Sequence, residues 1–335
     1  MVRAPSPDRH DVSKRHLPFA PVWVFVSLLN FAPALATERP QTGIHAQAKI
    51  AVSTKLVLLP VKVTDAEGKF VAGLKAEDFR VYEDGQLVKP TIFEEGDVPV
   101  TVGLVVDHSR SMGSKLMGVV AAVSSFAHSS NSHDEMFVVD FNDNVSIELM
   151  KGKAFSSDAK ELGEALTAVS ARGRTALYDA VSEGLHHLRY GHMEKKALVI
   201  ISDGGDNASH LKYAQVLKQA RETQALIYSI ALVGSDDGEE NPGLLRRLCK
   251  DTGGIAYFPR AGESVANVSA EIARDLREQY TLGYVPQDLQ RAEAFRKVEV
   301  KVTAQGRGKL RVRTRQGYSL EAEKEPGAQL VPGQR

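Results

Sequence analysis

The sequence predicts an α/β protein: an open, doubly wound, mostly parallel sheet with helices on both faces. A small antiparallel β accessory domain, formed from both ends of the chain, flanks it. Two observations carry this reading. Between about residues 98 and 279, short apolar runs alternate with segments of helical period, the pattern of parallel strands joined by crossover helices. Before and after that region the period changes to two, with turn residues between the runs. Neither flank has strands enough to bury a face by itself, so the two are expected to pair.

In chain order, STKLVLLPVKVTD (53–65) opens the β-like flank, and DFRVYEDGQLVKPTIFEE (78–95) follows with Asp84-Gly85 as a hairpin signal. VTVGLVV (100–106) is a buried strand, after which Met112, Leu116, Val119, Val120, Val123 and Phe126 mark a helical stripe. EMFVVDF and NVSIELM read as a hairpin at a sheet edge. Helices are expected over SDAKELGEALTAV and TALYDAVSEGLHHLRY, with KALVIIS (196–202) as a central strand. A helix over 213–223, strand ALIYSIAL, a helix near 244–250, strand GIAYFP and a helix over 263–277 complete the alternation. YTLGYVP, FRKVEVKVT and LRVRTRQGYSL return to β character. The expected boundaries are 1–36 leader, 37–52 linker, 53–97 and 280–319 accessory domain, 98–279 α/β domain and 320–335 unstructured tail.

The chain has 335 residues, with 42 Lys+Arg against 42 Asp+Glu, so no global field draws it to nucleic acid or an anionic membrane. Any binding must come from a local site. Arg3, Arg9, Lys14 and Arg15 precede the apolar PVWVFVSLLNFAPALA, which ends in Ala34-Leu35-Ala36: the pattern of a secretory signal peptide. Cleavage there makes the protein secreted, periplasmic or surface-displayed, with no membrane span left. If the segment is not cleaved, it is an N-terminal anchor, although its apolar run is short for a spanning helix. A single cysteine, Cys249, excludes an internal disulfide and is expected to pack as a small hydrophobe.

The segment DHSRSMGS (107–114) follows directly on the buried strand VTVGLVV. Its side-chain oxygens fit a helix cap, or a hard cation, because oxygen-only donors suit Mg²⁺ or Ca²⁺. In an open α/β sheet, ligands bind at the carboxyl ends of the strands. Asp107 lies at that end of one strand and Asp203, in IISDGGDN, at that end of another. Two carboxylates placed together repel, and a cation between them removes the conflict. Thr175, in ARGRTALYDAV, adds a third oxygen just before a helical pattern; by itself it too reads as a cap.

Together, Asp107-x-Ser109-x-Ser111, Thr175 and Asp203-Gly204 resemble the metal-ion-dependent adhesion site of von Willebrand factor type A (VWFA) domains, and the resemblance spans roughly residues 98–277. It implies that Ser109 and Ser111 hold the metal directly and Thr175 directly or through water. Asp107 and Asp203 would act mainly through bound waters and hydrogen bonds to the serines. The cofactor implied is Mg²⁺, with Mn²⁺ or Ca²⁺ as substitutes. The partner implied is a protein offering an Asp or Glu carboxylate. The flanks KVTDAEGKFVAGLKAEDFRVYEDG and YTLGYVP with FRKVEVKV and RVRTRQGY resemble exported bacterial VWFA-related proteins.

The expectation is therefore a non-enzymatic adhesion module, with a purely structural metal as the alternative. A Mg²⁺-dependent phosphotransferase of the haloacid-dehalogenase type would need a second acid two residues after Asp107, where Ser109 stands. No glycine fingerprint for a dinucleotide follows the first strand of the sheet. His108 and Arg110 occupy the intervening motif positions, as rim residues or simply exposed. Asp206 reads as a solvated loop acid, with an outer role at the metal as the alternative. Asp236, Asp237, Glu239 and Glu240 read as a solvated acidic loop, and weak Ca²⁺ binding is the other reading. Asn207-Ala-Ser209 fits a glycosylation acceptor in a eukaryotic secretory route. His186 and His187, adjacent on a helix, cannot offer both rings to one metal.

Overall fold

The computed structural model describes residues 56–149, 153–167, 170–234, 240–260, 262–288 and 294–320. The expected leader, linker and tail, and Asp236, Asp237 and Glu239 of the acidic run, lie outside them. The chain opens with β1 (Val57–Thr64), β2 (Phe79–Glu83), β3 (Gln86–Val88) and β4 (Ile92–Glu95). The α/β region follows as β5 (Val100–Asp107), α1 (Leu116–Ser129), β6 (Glu135–Phe141), β7 (Val145–Glu148), α2 (Ala159–Thr167), α3 (Leu177–His187), β8 (Lys195–Ser202), α4 (Tyr213–Thr223), β9 (Leu226–Ala231), α5 (Pro242–Thr252), β10 (Ala256–Tyr257) and α6 (Val265–Arg277). It closes with β11 (Tyr280–Tyr284), β12 (Arg296–Val302), β13 (Arg311–Arg313) and β14 (Gly317–Tyr318).

The central sheet has the order β10-β9-β8-β5-β6-β7. Its pairs are parallel except β6–β7, an antiparallel edge hairpin with Val139 opposite Ile147. β5 and β8 are its middle strands and are buried almost throughout, which explains their unbroken apolar runs. α1 and α6 pack through Val119, Val123, Phe126 and Ile272 on one face. α3, α4 and α5 pack through Val181, Leu185, Val216 and Leu248 on the other. Met112 was expected on the first helix; it sits instead in a 3₁₀ segment, Arg110–Lys115, that precedes α1, and it is fully buried.

The flanks do pair, and they form a sandwich of two four-stranded sheets, β13-β1-β11-β4 and β14-β12-β2-β3. Each sheet needs strands from both ends of the chain: Leu59 lies opposite Leu282, and Val81 opposite Val300. Leu59, Val61, Val81, Tyr280 and Tyr318 fill the space between the sheets. The β2–β3 turn has φ of 47° at Asp84 and 83° at Gly85, the two positive values that a type I′ hairpin requires. At the centre of the sandwich, Glu83 accepts from Arg296 Nη1 at 2.9 Å, Tyr284 OH at 2.7 Å and Tyr318 OH at 2.6 Å, so a buried acid is fully partnered.

The parallel topology sorts the helix ends. Carbonyls at helix C-termini gather beside the sandwich and carry partial negative charge, and cations cap them. Lys195 Nζ donates to Leu276 O of α6, Arg315 Nη2 to Gln224 O beyond α4, and Arg313 Nη1 to Gly253 O beyond α5. Lys196 Nζ donates to Leu188 O and Gly191 O beyond α3, at 2.6 and 3.0 Å. Burial pushes Lys195 down to about 8 and Arg315 down to about 10. The opposite end of the sheet, where β5 and β8 finish, is left for the candidate site.

Candidate metal centre

Asp107 is the last residue of β5 and is completely buried. Its Oδ1 accepts from Ser109 N at 2.8 Å and its Oδ2 from Ser202 Oγ at 2.6 Å. Ser202 Oγ in turn accepts from Gly204 N at 3.0 Å, which ties the end of β8 to the end of β5. Burial pushes the Asp107 carboxyl up to about 6; bonds from Ser109 and Ser202 oppose that shift, and the neighbouring Asp203 charge adds to it. At neutral pH an ionised Asp107 therefore sits where burial disfavours charge.

Above Asp107, Ser109 Oγ and Ser111 Oγ lie 3.2 Å apart, and Ser111 Oγ donates to Asp203 Oδ2 at 2.6 Å. Asp203 Oδ1 accepts from Gly205 N at 3.0 Å. The sharp turn that returns the loop to this position runs through Gly204, whose φ is +85° and whose missing Cβ would meet Asn241 O at 2.7 Å. Thr175 is held by both backbone groups: its N donates to Asn207 Oδ1 at 2.9 Å and its O accepts from Asn207 N at 3.0 Å. Ser109, Ser111, Thr175 and Asp203 line one open cleft of about 550 Å³. Four of the five sequence-predicted residues are thus linked by hydrogen bonds, directly or through the Ser109 backbone. Thr175 shares the cleft without a hydrogen bond to the others.

The capping reading of these hydroxyls does not hold. Ser109 precedes the 3₁₀ segment but makes no side-chain cap bond. Ala176, not Thr175, is the N-cap of α3. That helix is capped from a distance by Ser209 Oγ, which accepts from Tyr178 N at 3.0 Å and Asp179 N at 3.2 Å. Asp206 is correspondingly not a solvated acid: half-buried, it accepts from Ser209 Oγ at 2.5 Å and Tyr178 N at 3.3 Å, and burial raises its pKa. His108 is neither at the rim nor exposed. It is 1 % accessible, its Nδ1 contacts Asp140 Oδ1, and its N donates to Phe141 O at 2.7 Å.

Sequence reasoning missed Ser202 and Asn207 as supports. Ser202 was legible as the residue before Asp203; Asn207 appeared only as a glycosylation acceptor, and its amide oxygen is already engaged by Thr175. Cys249 is buried on α5, where burial pushes its thiol up to about 12, as expected of a packing residue. His187 packs on Phe137 with ring centroids 4.4 Å apart, away from the cleft.

Among the described residues no group of three or more His, Cys, Asp or Glu side chains converges. The donor set at the cleft is instead three hydroxyls and two carboxylates, all hard oxygens, which suits Mg²⁺ or Mn²⁺ and not a soft metal. The buried, raised Asp107 carboxyl beside Asp203 is the feature a cation would relieve.

The family model for the von Willebrand factor type A domain matches residues 101–271. Among solved structures, von Willebrand factor type A from Catenulispora acidiphila is similar at 13% identity over 73% of this chain and 74% of that one, with a TM-score of 0.48. An aerotolerance-related membrane protein from Bacteroides fragilis is similar at 15% identity over 52% and 98%, with a TM-score of 0.43. The vWF domain of the type V pili tip protein Mfa5 from Porphyromonas gingivalis is similar at 19% identity over 33% and 39%, with a TM-score of 0.30. No curated protein matches the chain. Among the described residues, no helix is long and apolar enough to cross a membrane.

Proposed function

Because the chain belongs to the von Willebrand factor type A domain family, we propose that the carboxyl end of its central sheet is a cation-dependent adhesion surface that binds an acidic residue of a protein partner, without chemical turnover. The observation that carries this is the chain of oxygens from Ser109 through Ser111 to Asp203 at the mouth of an open cleft, with the Asp107 carboxylate buried directly beneath.

Ser109, Ser111 and Thr175 are the residues that would hold Mg²⁺ by their hydroxyls. Asp107 and Asp203 would act through hydrogen bonds and intervening water. Bound there, the cation would supply a weakly quenched positive charge for an outside carboxylate. Asp107 fixes Ser109 through its backbone N–H, and Ser202 fixes Asp107. Asp203 orients the Ser111 hydroxyl, and Asn207 holds Thr175. Only neutral hydroxyls and partnered carboxylates face the cleft from these positions, and no proton donor stands two residues after Asp107. The leader-like segment 1–36 adds export to this reading, and the partner is then a protein of the envelope, the surface or the medium.

Affinity capture on the immobilised protein, from envelope and medium of the native source, tests the proposal in parallel with Mg²⁺ and with chelator. A partner retained with Mg²⁺, lost with chelator and weakened by Ser109→Ala is the expected result. Ser109 is buried and its Oγ bonds Ser111 Oγ, so the substitution is expected to cost about 1 kcal/mol of folding stability, too little to unfold the protein. Capture of the same partner in excess chelator, or undiminished by Ser109→Ala, overturns adhesion through the metal and leaves a structural cation in its place.

A further inference from the structure

We propose that arginines at the mouth of this cleft select partner segments carrying two acidic side chains close together, one for the cation and one for a guanidinium. The inference rests on reading the cleft as a cation-dependent carboxylate site and adds what that reading leaves open, the kind of acidic segment it takes.

Arg110 lies between Ser109 and Ser111, and Arg174 immediately precedes Thr175. Both line the cleft and both are exposed. Two backbone bonds hold the segments bearing them side by side: Arg110 N donates to Gly173 O at 3.4 Å, and Arg172 N to His108 O at 2.9 Å. Arg172, also exposed, stands on the same loop two residues before Arg174. Gly173, between Arg172 and Arg174, has φ +78°, the left-handed conformation that favours glycine.

Among the described residues, none of these three guanidinium groups has a hydrogen bond or an ion pair. The contrast within the chain is clear, because Arg296 is paired with Glu83 and Arg313 with Asp275. The two acids that line the cleft, Asp203 and Glu240, are already occupied. Asp203 accepts from Ser111 and Gly205, and Glu240 Oε1 accepts from Gly234 N at 2.7 Å. In a chain of zero formal charge, two unpaired guanidinium groups lining one cleft, with a third on the adjoining loop, are a local concentration of positive charge.

A guanidinium presents a planar fork that matches a carboxylate, and the match is specific in angle as well as charge. In an extended segment, side chains two residues apart lie on one side and about 7 Å apart. With one carboxylate at the cation, a second at that spacing comes within reach of an arginine that directly flanks a metal-holding hydroxyl. A carboxylate-rich peptide segment fits this arrangement better than a sulfated glycan, because the central cation and the flanking forks then read the same group.

The test uses two immobilised peptides, acetyl-GGEGEGG-amide and acetyl-GGEGQGG-amide, with the full chain, Mg²⁺ and moderate salt. The diacidic peptide is expected to bind about tenfold more tightly, the factor one charge-assisted pair supplies. In the double variant Arg110→Gln/Arg174→Gln that ratio is expected to fall to about one. Affinity for the monoacidic peptide should change by much less than the diacidic ratio does, and Mn²⁺ binding, measured by calorimetry, should be retained. Chelator should abolish both peptides, and this arm reports on the metal reading separately from the ratio. A wild-type ratio near one, or a ratio that survives in the double variant, overturns the arginine selection. Loss of heparin binding in the variant, with no peptide preference in the wild type, would assign the rim to sulfated polyanions instead.

Discussion

Asp275→Ala is expected to destabilise the protein by about 3–5 kcal/mol, the cost of leaving buried cations without their acid, and to lower the melting temperature by roughly 6–20 °C for a domain of this size. Asp275 near the end of α6 accepts from Tyr228 OH of β9 at 2.8 Å and from Arg313 Nη2 of β13 at 2.5 Å, and it pairs with Lys62 Nζ of β1 at 3.3 Å. One carboxylate thus joins the α/β region to two strands of the sandwich. Burial pushes that carboxyl up, but Arg313 and Lys62 outweigh burial and hold it below its ordinary value. Since the folded value lies below the unfolded one, the contribution is present above about pH 4 and is lost as pH falls further. Glu278 also pairs with Lys62, at 2.9 Å, but its side chain is 41% exposed, so Glu278→Ala should cost under about 1 kcal/mol. Thermal unfolding followed by circular dichroism checks both. Equal, small effects of the two substitutions would show that Asp275 is not the joint.

The second large effect concerns the cation. A ligand that binds only the folded state stabilises it by about 2.7 kcal/mol at one hundred times its dissociation constant. The wild type should gain about that much from Mg²⁺, and Asp107→Ala should gain none, because the substitution removes the buried charge and the group that fixes Ser109 N. The variant starts from a lower baseline, since Ser202 Oγ loses its acceptor. The comparison is therefore the increment on adding Mg²⁺. An equal increment in wild type and variant would place the stabilising cation elsewhere.

The alternation of apolar runs with helical stripes was enough to order the central sheet's elements, because a parallel strand buried on both faces must be apolar throughout. Asp84-Gly85 marked its hairpin for a local reason, the two positive φ values. The residues of the candidate site stood out where residue type and strand end coincide, at Asp107, Ser109, Ser111 and Asp203. What stayed hidden depends on distant partners. A two-residue period shows which side chains share a face but not which sheet a strand joins. LRVRTRQGYSL accordingly read as one β segment, yet β13 and β14 belong to different sheets, separated where Arg315 docks on the end of α4. His108 read as a rim or simply exposed residue because nothing nearby in sequence reveals that Asp140 on β6 receives its ring. Thr175 looked like a cap because Ser209, which does the capping, comes about thirty residues later in the chain. Lys195 in a buried strand makes sense only once the carbonyls at the end of α6 are in place.

In the proposed function, Ser109, Ser111, Thr175, Asp107 and Asp203 serve one cation. The most direct measurement is a crystal of the full chain grown with Mn²⁺ and diffracted at an energy where manganese scatters anomalously. A single strong anomalous peak is expected in the cleft, in bonding contact with Ser109 Oγ and Ser111 Oγ at about the 2.1 Å typical of Mg²⁺–oxygen ligation, with no peak there in crystals of Asp107→Ala. A cleft without anomalous density at saturating Mn²⁺, or a peak held by other residues, would contradict it.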